Sequence, residues 1–127
     1  MTHFSRISKI VIDVPAGDHD QELAFWQAAT GAQLDRFERH PEYHGAQLYG
    51  EHFGLLVQQL EHGQTRIHLD IHTDDLAAEL DRLERLGARR VRQVHGWWIM
   101  QDPAGLPFCV IPEPPGNLSD DNAQRWS

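Results

Sequence analysis

The sequence predicts an α+β domain built from two β-α-β-β-β modules. In each half of the chain a strand-like segment precedes a helix-like one, both helices end at a Gly-Ala pair, and the closing segments align without a gap. A length of 127 residues suits a single domain. We expect module 1 at about residues 4–62, module 2 at about residues 64–112, and a polar C-terminal tail at residues 113–127.

Each module opens and closes with a predicted strand. The opening segments KIVIDVP (residues 9–15) and HLDIHTD (residues 68–74) alternate between apolar and more polar residues, as strands with one buried face do. The closing segments are EHFGLLVQQL (residues 51–60) and DPAGLPFCVI (residues 102–111), and each carries a glycine at its fourth position. This repeat predicts that the two halves share one topology.

The predicted helices cover residues 19–30 and 75–86. In the first helix, Leu23 and Trp26 lie on the apolar side, with Phe25 beside them. In the second helix, leucines recur with the helical period of about 3.6 residues, and they are Leu76, Leu80, Leu83 and Leu86.

Suitable capping residues stand at both ends of each predicted helix. Asp18 and Asp74 are the predicted N-terminal caps, because an aspartate side chain accepts hydrogen bonds from the first unpaired backbone N–H groups. Gly31 and Gly87 stand where the helices end, and glycine readily adopts the left-handed conformation found there.

Three strand-like segments follow the second helix, around Val91, Ile99 and Val110. A ferredoxin-like β-α-β-β-α-β plait is the alternative fold. It explains three strands after the second helix poorly, so we favour the duplicated module.

Composition narrows the range of partners. The chain has 11 Lys and Arg against 19 Asp and Glu, and its net charge of −8 repels nucleic-acid phosphates. No apolar run approaches the roughly 20 residues that span a bilayer, and the N-terminal segment lacks the apolar core of a signal peptide. The single cysteine excludes an internal disulfide. We therefore expect a cytoplasmic protein without nucleic-acid or membrane partners.

These elements resemble the vicinal oxygen chelate superfamily, and within it the glyoxalase-like domains related to bleomycin-resistance proteins. The motifs are HLDI, LGA and DPAGLPFCV in module 2, and VIDVP and LAFW in module 1. The resemblance covers about residues 6–112. It implies that the two modules curl their sheets into one cup-like, eight-stranded mixed sheet, and that the chain forms a homodimer.

In that superfamily, metal enzymes carry ligands on the first and last strands of each module. The resemblance places these positions at Lys9, Gln58, His68 and Cys109. A protonated lysine repels a dication and offers no lone pair, and a glutamine amide is a weak ligand. We therefore expect no cofactor, although a divalent metal stays open as an alternative, with His68 as its main ligand.

Cys109 stands where the metal-binding members keep a glutamate. Free cysteine behaves as a small apolar residue, so we expect Cys109 to line or pack the sheet. A nucleophilic role would need a nearby cation, for which His68 and Lys9 are the candidates.

Three classes of function remain open: a small-molecule binding protein, an enzyme of the lyase, isomerase or dioxygenase type, and an accessory protein with a vestigial cup. We take the binding protein as the main hypothesis. In the enzyme, His68 would act with Asp70 or Lys9 in acid–base chemistry.

Trp97 and Trp98 point to opposite faces of one strand, so one packs under a helix and the other faces the cup. The predicted cup is lined by one of these tryptophans and by Lys9, Val11, Asp13, Gln58, His68, Asp70 and Cys109.

Overall fold

The computed structural model describes residues 2–47 and 53–127. Within these ranges it has two helices and nine strands of a large mixed sheet, which confirms the predicted α+β fold class. The strands are β1 (His3–Pro15), β2 (Asp35–Arg36), β3 (Tyr43–Gln47), β4 (Gly54–Leu60), β5 (Arg66–Thr73), β6 (Arg89–Val94), β7 (Trp97–Gln101), β8 (Pro107–Pro112) and β9 (Gln124–Trp126). The helices are α1 (His19–Thr30) and α2 (Leu76–Arg85), and a 3₁₀ turn (Ala16–Asp18) precedes α1.

The contacts within the chain divide it into two compact units. The first unit contains residues 9–68, and the second contains the described residues up to Ser8 together with residues 69–127. The divisions fall inside β1 and β5. The module boundaries inferred from the repeat stay a prediction.

In the first unit, β1 pairs with β4 in parallel, β4 pairs with β3 antiparallel, and β3 pairs with β2 antiparallel. Helix α1 covers one face of this ladder through Leu23 and Trp26, as the sequence predicts. The buried side chains of this core are Ile12, Val14, Leu34, Leu55 and Val57.

In the second unit, β5 pairs with β8 in parallel, and β8, β7 and β6 follow antiparallel to one another. Helix α2 packs on one face of this ladder, and the buried core consists of Leu80, Leu83, Met100, Phe108 and Val110. The short strand β9 pairs antiparallel with the start of β1, placing His3 opposite Trp126.

The helix positions are close to the predicted ones. Helix α1 has the predicted bounds, and α2 is one residue shorter at each end. Gly31 and Gly87 have positive φ angles of 74° and 111°, which confirms their predicted role at the helix ends. Phe25 and Leu86 differ from the prediction, because their side chains are 58 % and 67 % exposed.

Of the two predicted N-terminal caps, Asp18 has the correct position and Asp74 does not. Asp75, and not Asp74, caps α2, because its Oδ1 accepts a hydrogen bond from the backbone N–H of Ala78 at 3.1 Å. Asp74 instead accepts the backbone N–H of Phe4 at 2.8 Å. Asp18 holds the cap position of α1 but makes no capping hydrogen bond, since the 3₁₀ turn has already placed its backbone in a helical conformation.

The closing segments of the two halves also differ in detail. Strand β4 begins at Gly54, whereas the aligned Gly105 lies in a turn with a φ of 96°, and β8 begins only at Pro107. Glu51 and His52, the first residues of the closing segment of module 1, lie outside the described residues. Across residues 2–47 and 53–127, neither helix has the length and apolar character that crossing a bilayer requires.

Candidate functional site

The ladder of the first unit has two chemically different faces. Ile10, Ile12 and Val14 point toward α1, so the alternate residues Lys9, Val11 and Asp13 lie on the opposite face. We call this opposite side the Lys9 face. In the parallel register with β4, its residues lie opposite Gly54, Leu56 and Gln58 respectively.

A buried carboxylate on the Lys9 face holds a histidine. Asp13 is only 1 % exposed, and its Oδ2 contacts Nδ1 of His68 at 2.7 Å and accepts a hydrogen bond from Nε of Arg66 at 3.3 Å. An ionised carboxylate only accepts hydrogen bonds, so it favours the His68 tautomer with the proton on Nδ1 and the lone pair on Nε2. The other Asp13 oxygen, Oδ1, is buried without a hydrogen-bond partner in the described part of the chain.

A hollow of about 250 Å³ lies at the Lys9 end of this face. Gly45 and Gly54 keep it open, because neither contributes a side chain, and a Cβ added at Gly45 would lie 2.9 Å from Cδ1 of Leu56. The hollow is lined by Lys9, Asp35, Phe37, Gly45, Ala46, Gln47, Gly54 and Leu56. Lys9 is the only lysine in the sequence, and it makes no ion pair within residues 2–47 and 53–127.

The other predicted residues of the first unit have different surroundings. Val11 is completely buried, so it supports the packing of the face. Gln58 is half-buried and lines a second hollow of about 480 Å³, which also includes Glu42 and Glu61. Gln58 and Lys9 therefore border different hollows.

In the second unit, Asp70 and Cys109 lie directly opposite each other in the β5–β8 register. Phe108 and Val110 belong to the core beneath α2, so Cys109 between them points to the other face of the ladder. Asp70 is buried at 4 % exposure, and Cys109 is half-buried with a free thiol. This carboxyl–thiol pair lies on the face away from α2.

The two tryptophans lie on opposite faces of β7. Trp98 packs against the core beneath α2, where the guanidinium carbon of Arg90 lies 5.6 Å from its ring centroid. Its neighbour Trp97 points to the same face as Ile99, which lies opposite Cys109. Trp98 therefore serves the core, and Trp97 is the tryptophan on the Cys109 face.

The strand registers change which residues of the two modules correspond to each other. Gln58 lies opposite Asp13, and Cys109 lies opposite Asp70. If the closing strands are equivalent, Asp13 corresponds to Asp70, and Val11 rather than Lys9 corresponds to His68. The sequence repeat had aligned Lys9 with His68, so it differs from the structural correspondence by two residues.

The contact between Asp13 and His68 escaped the sequence analysis, which paired His68 with Asp70 or Lys9. The available signal was an aspartate within the otherwise apolar run IVIDV. A buried carboxylate needs a hydrogen-bonding or charged partner. The sequence alone could not show that this partner lies 55 residues away.

The family of the chain is known from a match to a family model. The family model described as glyoxalase-like domain matches residues 9–111. The chain belongs to the glyoxalase-like domain family. This membership confirms the predicted place in the vicinal oxygen chelate superfamily.

Solved structures resemble this glyoxalase-like protein in fold. A methylmalonyl-CoA epimerase from Streptomyces coelicolor is 16 % identical with a TM-score of 0.59, covering 87 % of this chain and 98 % of the epimerase. The methylmalonyl-CoA epimerase from Mycobacterium tuberculosis is 18 % identical with a TM-score of 0.55, covering 85 % and 88 % of the two chains.

A third structure, 2,2',3-trihydroxybiphenyl 1,2-dioxygenase from Sphingomonas wittichii, is 16 % identical with a TM-score of 0.58. The alignment covers 87 % of this chain and 41 % of the dioxygenase. No curated protein sequence matches the chain. At these identities the likeness establishes the fold alone.

The residues of the glyoxalase-like domain do not fit the metal set that the superfamily implies. On β1 the candidate positions are Lys9, an ammonium, and Val11, a hydrocarbon, and neither donates an electron pair to a cation at neutral pH. Gln58 offers only an amide oxygen, which is a weak ligand, although Nε2 of His68 keeps a lone pair. We therefore derive no chemistry through a metal held at these positions.

Proposed function

We propose that this glyoxalase-like protein binds a small organic molecule at the Lys9 face, and that the metal site of its superfamily is degraded. The observation that carries the proposal is the hollow beside Lys9, in which an ammonium group that makes no ion pair among the described residues meets aromatic and aliphatic walls. Sites of this kind, mostly apolar with a few polar groups, are typical of small-molecule binding.

The lining indicates the chemical class of the ligand. The Lys9 ammonium attracts an acidic group, and Phe37 and Leu56 suit an apolar body. Asp35 at the rim accepts hydrogen bonds, so a hydroxyl or amino group on the ligand would also be bound. The volume of about 250 Å³ favours a compact organic acid over a large cofactor-linked substrate.

The Asp13–His68 pair supports a second candidate, an acid–base enzyme of the lyase or isomerase type. A buried carboxylate that holds one imidazole nitrogen protonated leaves the other nitrogen as a proton acceptor. In this candidate, His68 exchanges a proton with the bound molecule, and Asp70 stays a predicted helper. Dioxygenase chemistry has less support, because the expected metal donors on β1 are missing.

From the family resemblance we also propose that the protein is a homodimer and that it is cytoplasmic. Light scattering on the purified protein measures the mass of the particle directly, and a monomer would remove this part of the proposal.

A thermal-shift screen of small organic acids tests the binding function. A ligand at about a hundred times its Kd should add about 2.7 kcal/mol to the free energy of unfolding. Because Lys9 is the only lysine, lysine labelled with ¹⁵N gives a single side-chain signal, which should shift when the ligand binds.

Variants locate the binding site. Lys9→Met should weaken binding at least tenfold, whereas Arg39→Met, which removes an exposed cation elsewhere in the first unit, should leave it unchanged. Binding that survives Lys9→Met would contradict the proposal. A stoichiometric metal in the natively purified protein, lost in His68→Gln, would favour the enzyme instead.

A further inference from the structure

The ladder of the second unit ends at an exposed strand that is rich in arginine. This strand, β6, is the last in the strand order, and among the described residues it pairs with β7 alone. All of its residues except the last are exposed. The backbone N–H and C=O groups that point away from β7 therefore form an open edge, to which a further strand can add.

The arginines around β6 form a basic patch on an acidic protein. Five of the 11 Lys and Arg residues lie within residues 82–92, although the chain carries a net charge of −8. Carboxylates of α2 neutralise Arg82 and Arg90. In the part of the chain that the structure describes, Arg89 hydrogen-bonds only to a neutral amide, and Arg92 makes no ion pair. Strand β6 therefore presents two guanidinium groups without a counter-charge from these residues.

A β-bulge places these two arginines on the same face of the strand. Arg89 lies opposite Gln101, and after a register shift at the bulge Arg92 lies opposite Ile99. Without the extra residue, two side chains three positions apart would point to opposite faces. The facing residues on β7 are two positions apart, which is roughly 6.8 Å along a strand. The two cations thus have the spacing of alternate residues in a neighbouring strand.

We propose that β6 binds an extended acidic segment of a partner protein, which adds to the sheet as a further strand. Backbone hydrogen bonds along the open edge hold the segment, as in other cases of strand addition. Acidic side chains at alternate positions lie beside Arg89 and Arg92, and opposite charges on neighbouring strands stabilise the pairing. The arginines therefore select acidic residues that are two positions apart.

The charges disfavour two other partners at this edge. The β6 strand of a second copy would bring arginines next to arginines, and facing like charges oppose pairing. Nucleic acid is a long polyanion, so it would also meet the acidic remainder of the chain. Salt screens charges beyond about 8 Å at physiological ionic strength, so a short segment on β6 is attracted mainly by the adjacent arginines.

Nuclear magnetic resonance titration of the full chain with two peptides tests the proposal. Each peptide contains three Glu and six Thr, and the Glu residues are two positions apart in the first peptide and three positions apart in the second. The first peptide should shift the backbone signals of β6 and slow hydrogen exchange of its outward-pointing amides. The second should bind about twofold to fivefold more weakly, because it can place a carboxylate beside only one of the two arginines.

Variants of the two arginines give an independent readout. Arg89→Gln and Arg92→Gln should each weaken binding of the first peptide about twofold to fivefold, the effect of one cross-strand ion pair. Arg39→Gln removes an exposed cation of the first unit and should leave the binding unchanged.

Three outcomes would overturn the proposal. The first is unshifted β6 signals at millimolar concentrations of the first peptide. The second is equal binding of both peptides without slower amide exchange in β6, which would show attraction between charges and no added strand. The third is a short DNA duplex that shifts the β6 signals where the peptides do not.

Discussion

Replacing Arg82 by methionine should destabilise the protein far more than the same replacement at Arg90. Arg82 donates two hydrogen bonds to Glu79, from Nε at 2.7 Å and from Nη2 at 2.8 Å. Glu79 is completely buried, and its Oε1 also contacts Nε2 of His3 at 2.8 Å. Without Arg82, a buried carboxylate loses its main counter-charge.

The burial of Glu79 sets the expected size of the destabilisation in Arg82→Met. Breaking a buried ion pair by removing one partner costs about 3–5 kcal/mol. Arg90 also makes two hydrogen bonds of 2.8 Å, to Asp81 and Glu84, but those carboxylates are exposed. Exposed pairs contribute roughly 0.2–1 kcal/mol. A loss of about 3 kcal/mol should lower Tm by roughly 10 °C in a domain of this size.

The stability lost in Arg82→Met should also depend on pH. Burial by itself would raise the pKa of Glu79, but hydrogen bonds from Arg82, His3 and Ser5 outweigh it and hold the pKa below 4.5. In the wild type this ion pair stabilises the fold above pH 4.5, and the contribution is lost as the pH falls. Arg82→Met removes the largest of the groups that oppose burial, so the pKa of Glu79 should rise and the destabilisation should shrink as the pH falls from 7 to 5.

Urea unfolding followed by circular dichroism at both pH values measures these differences. Arg90→Met serves as the matched control, since it removes the same groups and the same number of hydrogen bonds. Equal losses for the two variants, or a loss in Arg82→Met that is independent of pH, would refute the reasoning.

Three further outcomes are expected. Gly45→Ala should cost about 1–3 kcal/mol in urea unfolding, because its Cβ would lie 2.9 Å from Leu56, whereas Gly17→Ala, with open space around it, should cost little. Trp126→Phe should speed amide hydrogen exchange in β9, because it removes the 2.9 Å hydrogen bond from Nε1 to Ser5. The protein should lose stability as the pH falls below 6.5, since burial lowers the pKa of His44 in the folded state. His44→Asn should flatten this dependence, and an unchanged or steeper slope in the variant would contradict the prediction.

Local patterns predicted much of the fold. The spacing of apolar residues in the helices and the alternation in the strands located α1, α2 and the strands after α2, because these signals depend on neighbouring residues. The capping residue of α2 was misplaced by one position. Asp74 and Asp75 have the same chemistry, and only the three-dimensional course of the chain decides which carboxylate faces the helix end and which receives the N–H of Phe4.

The candidate site was less predictable, since it depends on strand register. A shift of two residues keeps every side chain on its face, so hydrophobic alternation cannot distinguish Lys9 from Val11 as the counterpart of His68. The partner of His68 depends on which residues the fold brings close, and Asp13 is distant in sequence. For the tryptophans, alternation predicted that one would face a helix, and the structure identified Trp98.

The pairing of β9 with the start of β1 has a consequence for synthesis. His3, Phe4 and Ser5 are synthesised well before their partners in the ladder, which are Gln124, Arg125 and Trp126. The edge of β1 at these positions therefore stays open until residues 124–126 have been made. A chain released early would expose an unpaired strand, the kind of edge that templates aggregation.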